Sequence, residues 1–170
     1  MSGTARDAAP AARRRPPLLR LIAPVAAAVV AVDQVTKSLA VDRLADDTVD
    51  VFWTLRFNLT FNSGLSFGQG EGLTRYITVL AVLLVVGLVW WSRQLTSRPM
   101  AAAVGLLLGG ACGNLADRLF RSHDGAVIDF IDFQWWPVFN VADIAVFCGA
   151  GLLVLATLRE PEPEPSAPGA

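Results

Sequence analysis

The amino-acid sequence predicts a mainly α-helical, polytopic membrane protein with four transmembrane helices and a small extracytoplasmic β-sheet. The 170 residues are 54% hydrophobic and only 17% charged, whereas a soluble domain of this length keeps a more charged surface. Residues 76–92 and 99–116 contain no charged side chain, and each approaches the ~20 residues with which a helix spans hydrocarbon. Two further stretches, 18–41 and 140–158, are equally apolar apart from four charged residues, which are Arg20, Asp33, Lys37 and Asp143.

These stretches predict one membrane domain, residues 18–159, between two short tails. Both tails, 1–17 and 160–170, are rich in Ala and Pro together with charged residues, and this composition predicts disorder. The expected spans are about 18–41, 73–92, 99–119 and 140–158, joined by extracytoplasmic segments 42–72 and 120–139.

The first span has an alternative interpretation as a cleaved signal peptide, because Arg13, Arg14 and Arg15 precede its short Ala/Val-rich run. Three more spans follow, and no clear cleavage site precedes a soluble domain, so we favour a transmembrane helix.

The positions of the basic residues predict the orientation in the membrane, since loops rich in Lys and Arg stay on the cytoplasmic side. The basic residues flank the first span's start, the loop between the second and third spans, and the end of the fourth. We therefore expect both termini to be cytoplasmic. The residues are Arg6, Arg13, Arg14, Arg15, Arg20, Arg93, Arg98 and Arg159.

Two segments outside the spans have the composition of β-strands. Residues 51–61 are aromatic and β-branched, and the turn-forming sequence at 62–64 ends them. Residues 126–133 also favour a strand, and Pro137 follows. The two segments could pair as a sheet on the membrane surface, where Trp53, Trp135 and Trp136 would suit the interface.

Small residues at intervals of four predict close helix packing in the membrane. Gly105, Gly109 and Gly113 form such a row on the third span, while Ala145 and Gly149 repeat the interval on the fourth. We expect these two helices to touch.

Charged residues at membrane depth are costly, so they face the bundle interior or water and often have a function. Asp33 and Lys37 lie four residues apart on one helix face and can form an ion pair. Asn114, Asp117 and Arg118 lie close together on the third span, where we expect Asp117 and Arg118 to form a structural clamp.

Asp143 carries two interpretations. Asn140 is a natural N-cap for the fourth helix, with Asp143 as the third residue of a capping box, and the helix dipole favours its ionised form. Asp143 could also share a proton with a second carboxylate, the acid/base arrangement of an aspartic peptidase. Spacing leaves three partners open: Asp129, Asp132 and Asp117.

No residue pattern predicts a metal, a cofactor or a nucleic-acid partner. His123 has no companions at ligand spacing, Cys112 and Cys148 suit small apolar packing, and there is no basic stripe.

Five sequence blocks, in this order, closely resemble the lipoprotein signal peptidase, or signal peptidase II, family. They extend over residues 33 to 143, and only Ser66 and Ile128 depart mildly from the family pattern. The blocks are DQVTK (33–37), NSGLSF (62–67), GGACGNLADR (109–118), VIDF (127–130) and FNVAD (139–143).

The resemblance implies an intramembrane aspartic endopeptidase of the bacterial plasma membrane that needs no cofactor. It would cut diacylglyceryl-modified prolipoproteins before the lipidated cysteine, near the extracytoplasmic face, with the sheet as a cradle and a loop covering the site. We expect a monomer whose partners are these substrates and membrane lipid. The resemblance selects Asp129 and Asp143 as the catalytic pair. The supporting or substrate-binding positions that it implies are Asp33, Lys37, Asn62, Gly64, Asn114, Asp117, Arg118, Asn140 and Ala142.

Two rival functions remain from the residues alone. A small proton-coupled transporter would also carry intramembrane carboxylates, but it predicts polar residues across the whole membrane depth. A scaffold, in which the aspartates only cap and pair, predicts that Asp129→Asn and Asp143→Asn leave function intact.

Overall fold

A computed structural model describes residues 18–64, 71–95 and 97–159, except for the side chains of 71–73. Both tails expected to be disordered, and residues 65–67 of the NSGLSF block, lie outside this part of the chain. The elements in chain order are α1 (Leu19–Leu44), β1 (Val49–Phe52), β2 (Leu55–Asn62), α2 (Glu71–Ser92), α3 (Arg98–Phe120), β3 (Val127–Asp132) and α4 (Val141–Leu158).

The predicted fold class is confirmed, since the described residues form four helices long and apolar enough to cross a membrane, together with a three-stranded sheet. Helix α3 lies at the centre of the bundle and packs against each of the other three helices. Half of its most apolar window is buried, whereas at most 22% of that window is buried in the other three helices, as expected for helices that face lipid.

Glycines bring α3 close to two neighbours on two different faces. A Cβ at Gly109 would lie 2.6 Å from the Cβ of Val29 on α1, and a Cβ at Gly110 would overlap the carbonyl oxygen of Ala142 on α4. The expected contact between α3 and α4 is therefore present, and Gly149 contributes to it, since a Cβ there would lie 3.0 Å from the Ala103 carbonyl oxygen. Of the glycine row expected on α3, Gly113 approaches α4, with a Cβ 3.3 Å from that of Ala142. Gly105 and Gly109 face α1, because the residue that faces α4 is one step, or about 100°, around the helix.

The sheet is antiparallel with strand order β1-β2-β3. The single strand expected over 51–61 is wrong: Trp53 adopts a φ of 53°, so the chain reverses there and β1 and β2 form a hairpin. The expected strand near 126–133 is confirmed as β3, and it pairs with β2, placing Asp129 opposite Thr60.

The sheet covers one end of the helix bundle, which we call the sheet side. Ala40 and Leu44 at the end of α1 form a buried cluster with Phe130 of β3. Trp53, Trp135 and Trp136 are exposed at this side. The sheet is thus fixed to the ends of the helices where Asp129 and the start of α4 lie.

The predicted turn at 62–64 is present after β2. Gly64 has a φ of 89°, and its N–H donates to Oδ1 of Asn62 at 2.8 Å. Because this backbone conformation strains residues with a Cβ, Gly64 is the residue that permits the turn, and the turn orients the Asn62 amide.

Candidate active site

Asp129 lies in the middle of β3 and is only 2% exposed. Its carboxylate accepts two hydrogen bonds, from Asn62 Nδ2 at 2.9 Å and from Asn140 Nδ2 at 2.6 Å. Burial raises the pKa of Asp129 to about 6, because desolvation and the nearby Asp143 charge outweigh these hydrogen bonds and the positive charge of Lys37. Asp129 therefore keeps a proton up to about pH 6.

Asp143 lies in the first turn of α4, where the predicted capping box is confirmed. The backbone N–H of Asp143 donates to Asn140 Oδ1 at 3.0 Å, and that of Asn140 donates to Asp143 Oδ2 at 3.2 Å. The other carboxylate oxygen accepts from Asn114 Nδ2 at 2.8 Å. Both carboxylate oxygens of Asp143 therefore accept hydrogen bonds.

Asn140, which is fully buried, contacts both aspartates. Its side-chain amide donates to Asp129, while its backbone N–H and side-chain oxygen bond to Asp143. The two carboxylates therefore lie on either side of one asparagine. No hydrogen bond joins them directly among the described residues.

Asp132 and Asp117, the other two carboxylates considered as partners of Asp143, each form an ion pair with a basic residue. Asp132 pairs with Arg56 at 2.7 Å on the far end of the strand pair. Burial works to raise the pKa of Asp132, but hydrogen bonds from Arg56 and from the Gln134 N–H outweigh it and lower that pKa. Asp117 binds Lys37 at 2.7 Å. Among the three carboxylates, Asp129 alone shares Asn140 with Asp143.

Lys37 is completely buried, and its three ammonium hydrogens each have an acceptor. Nζ lies 2.9 Å from Asp33 Oδ2, 2.7 Å from Asp117 Oδ2 and 2.9 Å from Asn114 Oδ1. The predicted pair of Asp33 and Lys37 is confirmed, and the sequence did not indicate that Asp117 and Asn114 would join it. Lys37 thereby links α1 to the residues of α3 that contact Asp143.

Asp33 and Asp117 each hold the backbone just before one candidate catalytic aspartate. Asp33 Oδ1 accepts from the N–H of Ala142 at 3.0 Å, and Asp117 Oδ2 accepts from the N–H of Ile128 at 3.1 Å. Because Lys37 holds both carboxylates, one cation fixes the β3 and α4 segments relative to each other. Sequence reasoning missed this arrangement.

The expected clamp between Asp117 and Arg118 is wrong. Asp117 Oδ1 pairs with Arg121 at 3.2 Å and accepts from Gln34 at 2.9 Å, because a residue four positions along a helix shares its face and the adjacent residue does not. Within the described part of the chain, the Arg118 side chain forms one hydrogen bond, to the Asn114 carbonyl at 3.4 Å. Arg118 nevertheless lies close enough to interact electrostatically with Asp129 and Asp143.

Two cavities reach the aspartates from different sides. One, of about 270 Å³, is lined by Asp129, Asn62, Ser63 and neighbouring residues. The other, of about 500 Å³, exposes Asp143 among the side chains of Trp136, Phe139, Ile144 and Phe147. Pro137 and Val138 line the first cavity, and Trp136 and Phe139 line the second. The second cavity can accept an apolar group, and Asp143 supplies the carboxylate of its lining.

Among the described residues, no cluster of three or more His, Cys, Asp or Glu side chains could hold a metal ion. Cys112 and Cys148 are free thiols. His123 stacks on Phe61 with ring centroids 4.4 Å apart.

Comparisons with known proteins agree with this architecture. Residues 25–159 match the family model described as Signal peptidase (SPase) II. The chain is 46% identical over 150 residues to a lipoprotein signal peptidase of Mycobacterium avium, covering 85% of this chain and 82% of that protein. It is 41% identical over 152 residues to the lipoprotein signal peptidase of Rhodococcus jostii, covering 85% and 76%.

A solved bacterial membrane enzyme superposes with a TM-score of 0.76 at 26% identity, covering 88% of this chain and all of that chain. The resemblance in the five blocks thus extends to most of the sequence and to the fold. With four apolar helices around the polar cluster, this chain is a multi-pass membrane protein and belongs to the signal peptidase II family.

Proposed function

We propose that this protein is an intramembrane aspartic endopeptidase that removes the signal peptide from diacylglyceryl-modified prolipoproteins, cutting before the lipidated cysteine. Its relatives are named lipoprotein signal peptidases, which supports the substrate class. The observation that carries the mechanism is the position of Asp129 and Asp143 on either side of Asn140.

The two aspartates share one proton and activate a water molecule. Asp143, whose carboxylate accepts from Asn114, acts as the base and removes a proton from the water, which attacks the scissile carbonyl carbon. Asp129 donates its proton to the carbonyl oxygen. When the tetrahedral intermediate collapses, the C–N bond breaks, the leaving nitrogen takes the proton held by Asp143, and the hydroxyl proton returns to Asp129. No covalent enzyme intermediate forms.

Substrate binding strengthens the division of labour between the two aspartates. Peptide in the cavity lined by Asp129 and Asn62 displaces water, and further desolvation of a carboxyl group favours its protonated form. Asp129, whose pKa is already about 6 in the free protein, then holds its proton at neutral pH.

The cavity beside Asp143 suits the apolar part of the substrate. Its lining by Phe139, Ile144 and Phe147 accepts a hydrophobic group, while acyl chains remain in the bilayer beside α4. The sheet side is extracytoplasmic in this proposal, and both termini are cytoplasmic, as the distribution of Arg residues predicts.

The remaining polar residues position the pair or the substrate. Asp33, Lys37 and Asp117 hold the two backbone segments, and the turn at Gly64 orients Asn62 toward Asp129. Ala142 donates its N–H to Asp33. A Cβ at Gly113 would lie 2.6 Å from Asp33 Oδ2 and 3.3 Å from the Cβ of Ala142, so the two residues pack closely against this glycine. Arg118 lies close enough to both aspartates to interact with them electrostatically.

The test incubates purified protein in detergent micelles with a synthetic diacylglyceryl precursor peptide and measures cleavage by mass spectrometry. We expect Asp129→Asn and Asp143→Asn each to abolish cleavage. Asp132→Asn is the matched control, because Asp132 lies on the same strand but pairs with Arg56. Full cleavage by either dyad variant would reject the mechanism and favour a scaffold role for that aspartate.

A further inference from the structure

A second polar cavity, separate from the two that reach the aspartates, lies at the sheet side between α2 and α3. It has a volume of about 280 Å³ and opens beside the first turns of α2. Its lining combines two arginines, two threonines and one aspartate, namely Arg75, Arg118, Thr74, Thr78 and Asp124, with Val79 and Gly125.

Arg118 uses little of its hydrogen-bonding capacity in the described structure. Its Nε is buried without a partner among the described residues, and its only bond is the 3.4 Å contact with the Asn114 carbonyl. Arg75 is exposed at the cavity rim, and neither arginine forms an ion pair within the described part of the chain. Buried N–H groups nearly always have an acceptor, and an anion bound in this cavity would supply one to Arg118.

One wall of the cavity is formed by the loop at Asp124 and Gly125, which packs against Thr74. Asp124 and Gly125 adopt left-handed backbone conformations, with φ of 51° and 75°. They fold the loop against Thr74, since a Cβ at Gly125 would lie 2.9 Å from the Thr74 methyl group. Thr74 in turn donates to the Ser63 carbonyl at 3.0 Å.

The depth of the cavity identifies the kind of anion. Helix α2 begins at Glu71, so Thr74 to Val79 form its first turns, at the level where a membrane-spanning helix meets the headgroups. Below the cavity, α2 exposes Leu80, Leu83 and Val86, an apolar surface along which acyl chains can lie. Guanidinium groups match phosphate oxygens geometrically, and phospholipid phosphates lie at this level of a membrane.

We propose that this cavity is a phosphate-binding site that holds the headgroup of a membrane phospholipid between Arg75 and Arg118. Asp124 also lines the cavity, and its negative charge weakens the binding of an anion there. Free phosphate has the same chemistry, and its binding is distinguished below.

The experiment measures binding in detergent micelles, without substrate, so its outcome does not depend on peptidase activity. Dioleoyl phosphatidylglycerol is titrated against the purified full chain, and lipid adducts are counted by native mass spectrometry alongside thermal unfolding. We expect Arg75→Gln to weaken binding roughly tenfold through loss of a charge-assisted contact. Arg75→Lys should restore part of it, and Asp124→Asn should tighten it. Arg43→Gln, which removes an exposed arginine of α1 at the same side, should change nothing.

Two further ligands identify what is recognised. Dioleoylglycerol, which lacks phosphate, should not bind, and inorganic phosphate should bind far more weakly than the lipid. Equal binding of dioleoylglycerol, or equal lipid binding by Arg75→Gln and wild type when both are folded, overturns the proposal. Inorganic phosphate that binds as tightly as the lipid overturns the lipid assignment and supports a free-phosphate site.

Discussion

Replacing Asp129 with Asn should make the protein more stable at neutral pH while abolishing cleavage. In the folded protein the pKa of Asp129 rises from 3.8 to about 6, so the folded state disfavours the ionised carboxylate. A difference of roughly two pKa units corresponds to about 3 kcal/mol. That penalty is absent below the unfolded pKa, grows as the pH rises from about 4 to about 6, and is complete above that range.

The amide variant removes this penalty but loses part of the hydrogen bonding. Its single oxygen can keep the bond from Asn140 Nδ2, whereas its NH₂ group would face the donor of Asn62. A lost hydrogen bond costs about 1 kcal/mol. The expected net effect at pH 7 is therefore a gain of about 1–2 kcal/mol, with a flatter dependence of stability on pH between about 4 and 6.

The assay is reversible unfolding in mixed detergent and sodium dodecyl sulfate micelles, followed by tryptophan fluorescence at half-unit pH intervals. Asp132→Asn supplies the opposite sign. Its pKa is lowered in the folded state, so the ionised carboxylate adds stability that is lost as the pH falls, and the amide should destabilise at pH 7. If Asp129→Asn is less stable than wild type at pH 7 and keeps the wild-type pH dependence, the conclusion that folding raises the pKa of Asp129 is refuted.

Three other predictions follow from the same contacts. Lys37→Met should destabilise the protein by about 3–5 kcal/mol, because it leaves Asp33 and Asp117 buried without their cation; an effect below 1 kcal/mol in the same unfolding assay would contradict the linking role of Lys37. Asn140→Ala should lower kcat at least ~100-fold and cost about 1 kcal/mol of stability, because α4 loses its N-cap. The control Ser97→Ala, at an N-cap position without a side-chain hydrogen bond, should leave kcat and stability unchanged. Equal effects of the two substitutions would refute a specific role for Asn140. The value of kcat/KM should fall as the pH rises above about 6, because Asp129 loses its proton. Asn62→Ala should move this decline upward by roughly one pH unit, because the Asn62 hydrogen bond lowers the pKa of Asp129. A downward shift would contradict the assignment of Asp129 as the acid.

Local patterns in the sequence predicted the elements whose partners lie nearby in the chain. The capping box of α4 and the pair of Asp33 and Lys37 depend on residues three or four apart, and both were found. The single strand over 51–61 failed because alternation does not mark a reversal at Trp53, a residue without the usual turn chemistry.

The candidate site could be predicted only in part, because its key contacts join distant residues. Asp33 meets the N–H of Ala142, 109 positions away, and no periodicity encodes such a pairing. The choice of Asp129 over Asp132 and Asp117 came from resemblance to a family and stays a prediction. Arg56 and Lys37 occupy the other two carboxylates.

The buried cluster raises the question of why a membrane protein retains so many charges. Asp33 and Asp117 balance Lys37 and Arg121, so the cluster adds no net charge beside the two aspartates. A buried ion pair contributes little to stability compared with apolar packing, and stability alone does not account for it. What an apolar replacement lacks is an acceptor for the N–H groups of Ile128 and Ala142.

Combining Asp33→Asn, Lys37→Met and Asp117→Asn leaves no buried charge at these three positions and should recover much of the stability lost in Lys37→Met. The amide oxygens can still accept those N–H groups, but no cation joins the two segments. A triple variant that is stable yet cleaves poorly would separate placement of the aspartates from folding, whereas one that is stable and fully active would show that the cluster serves packing alone.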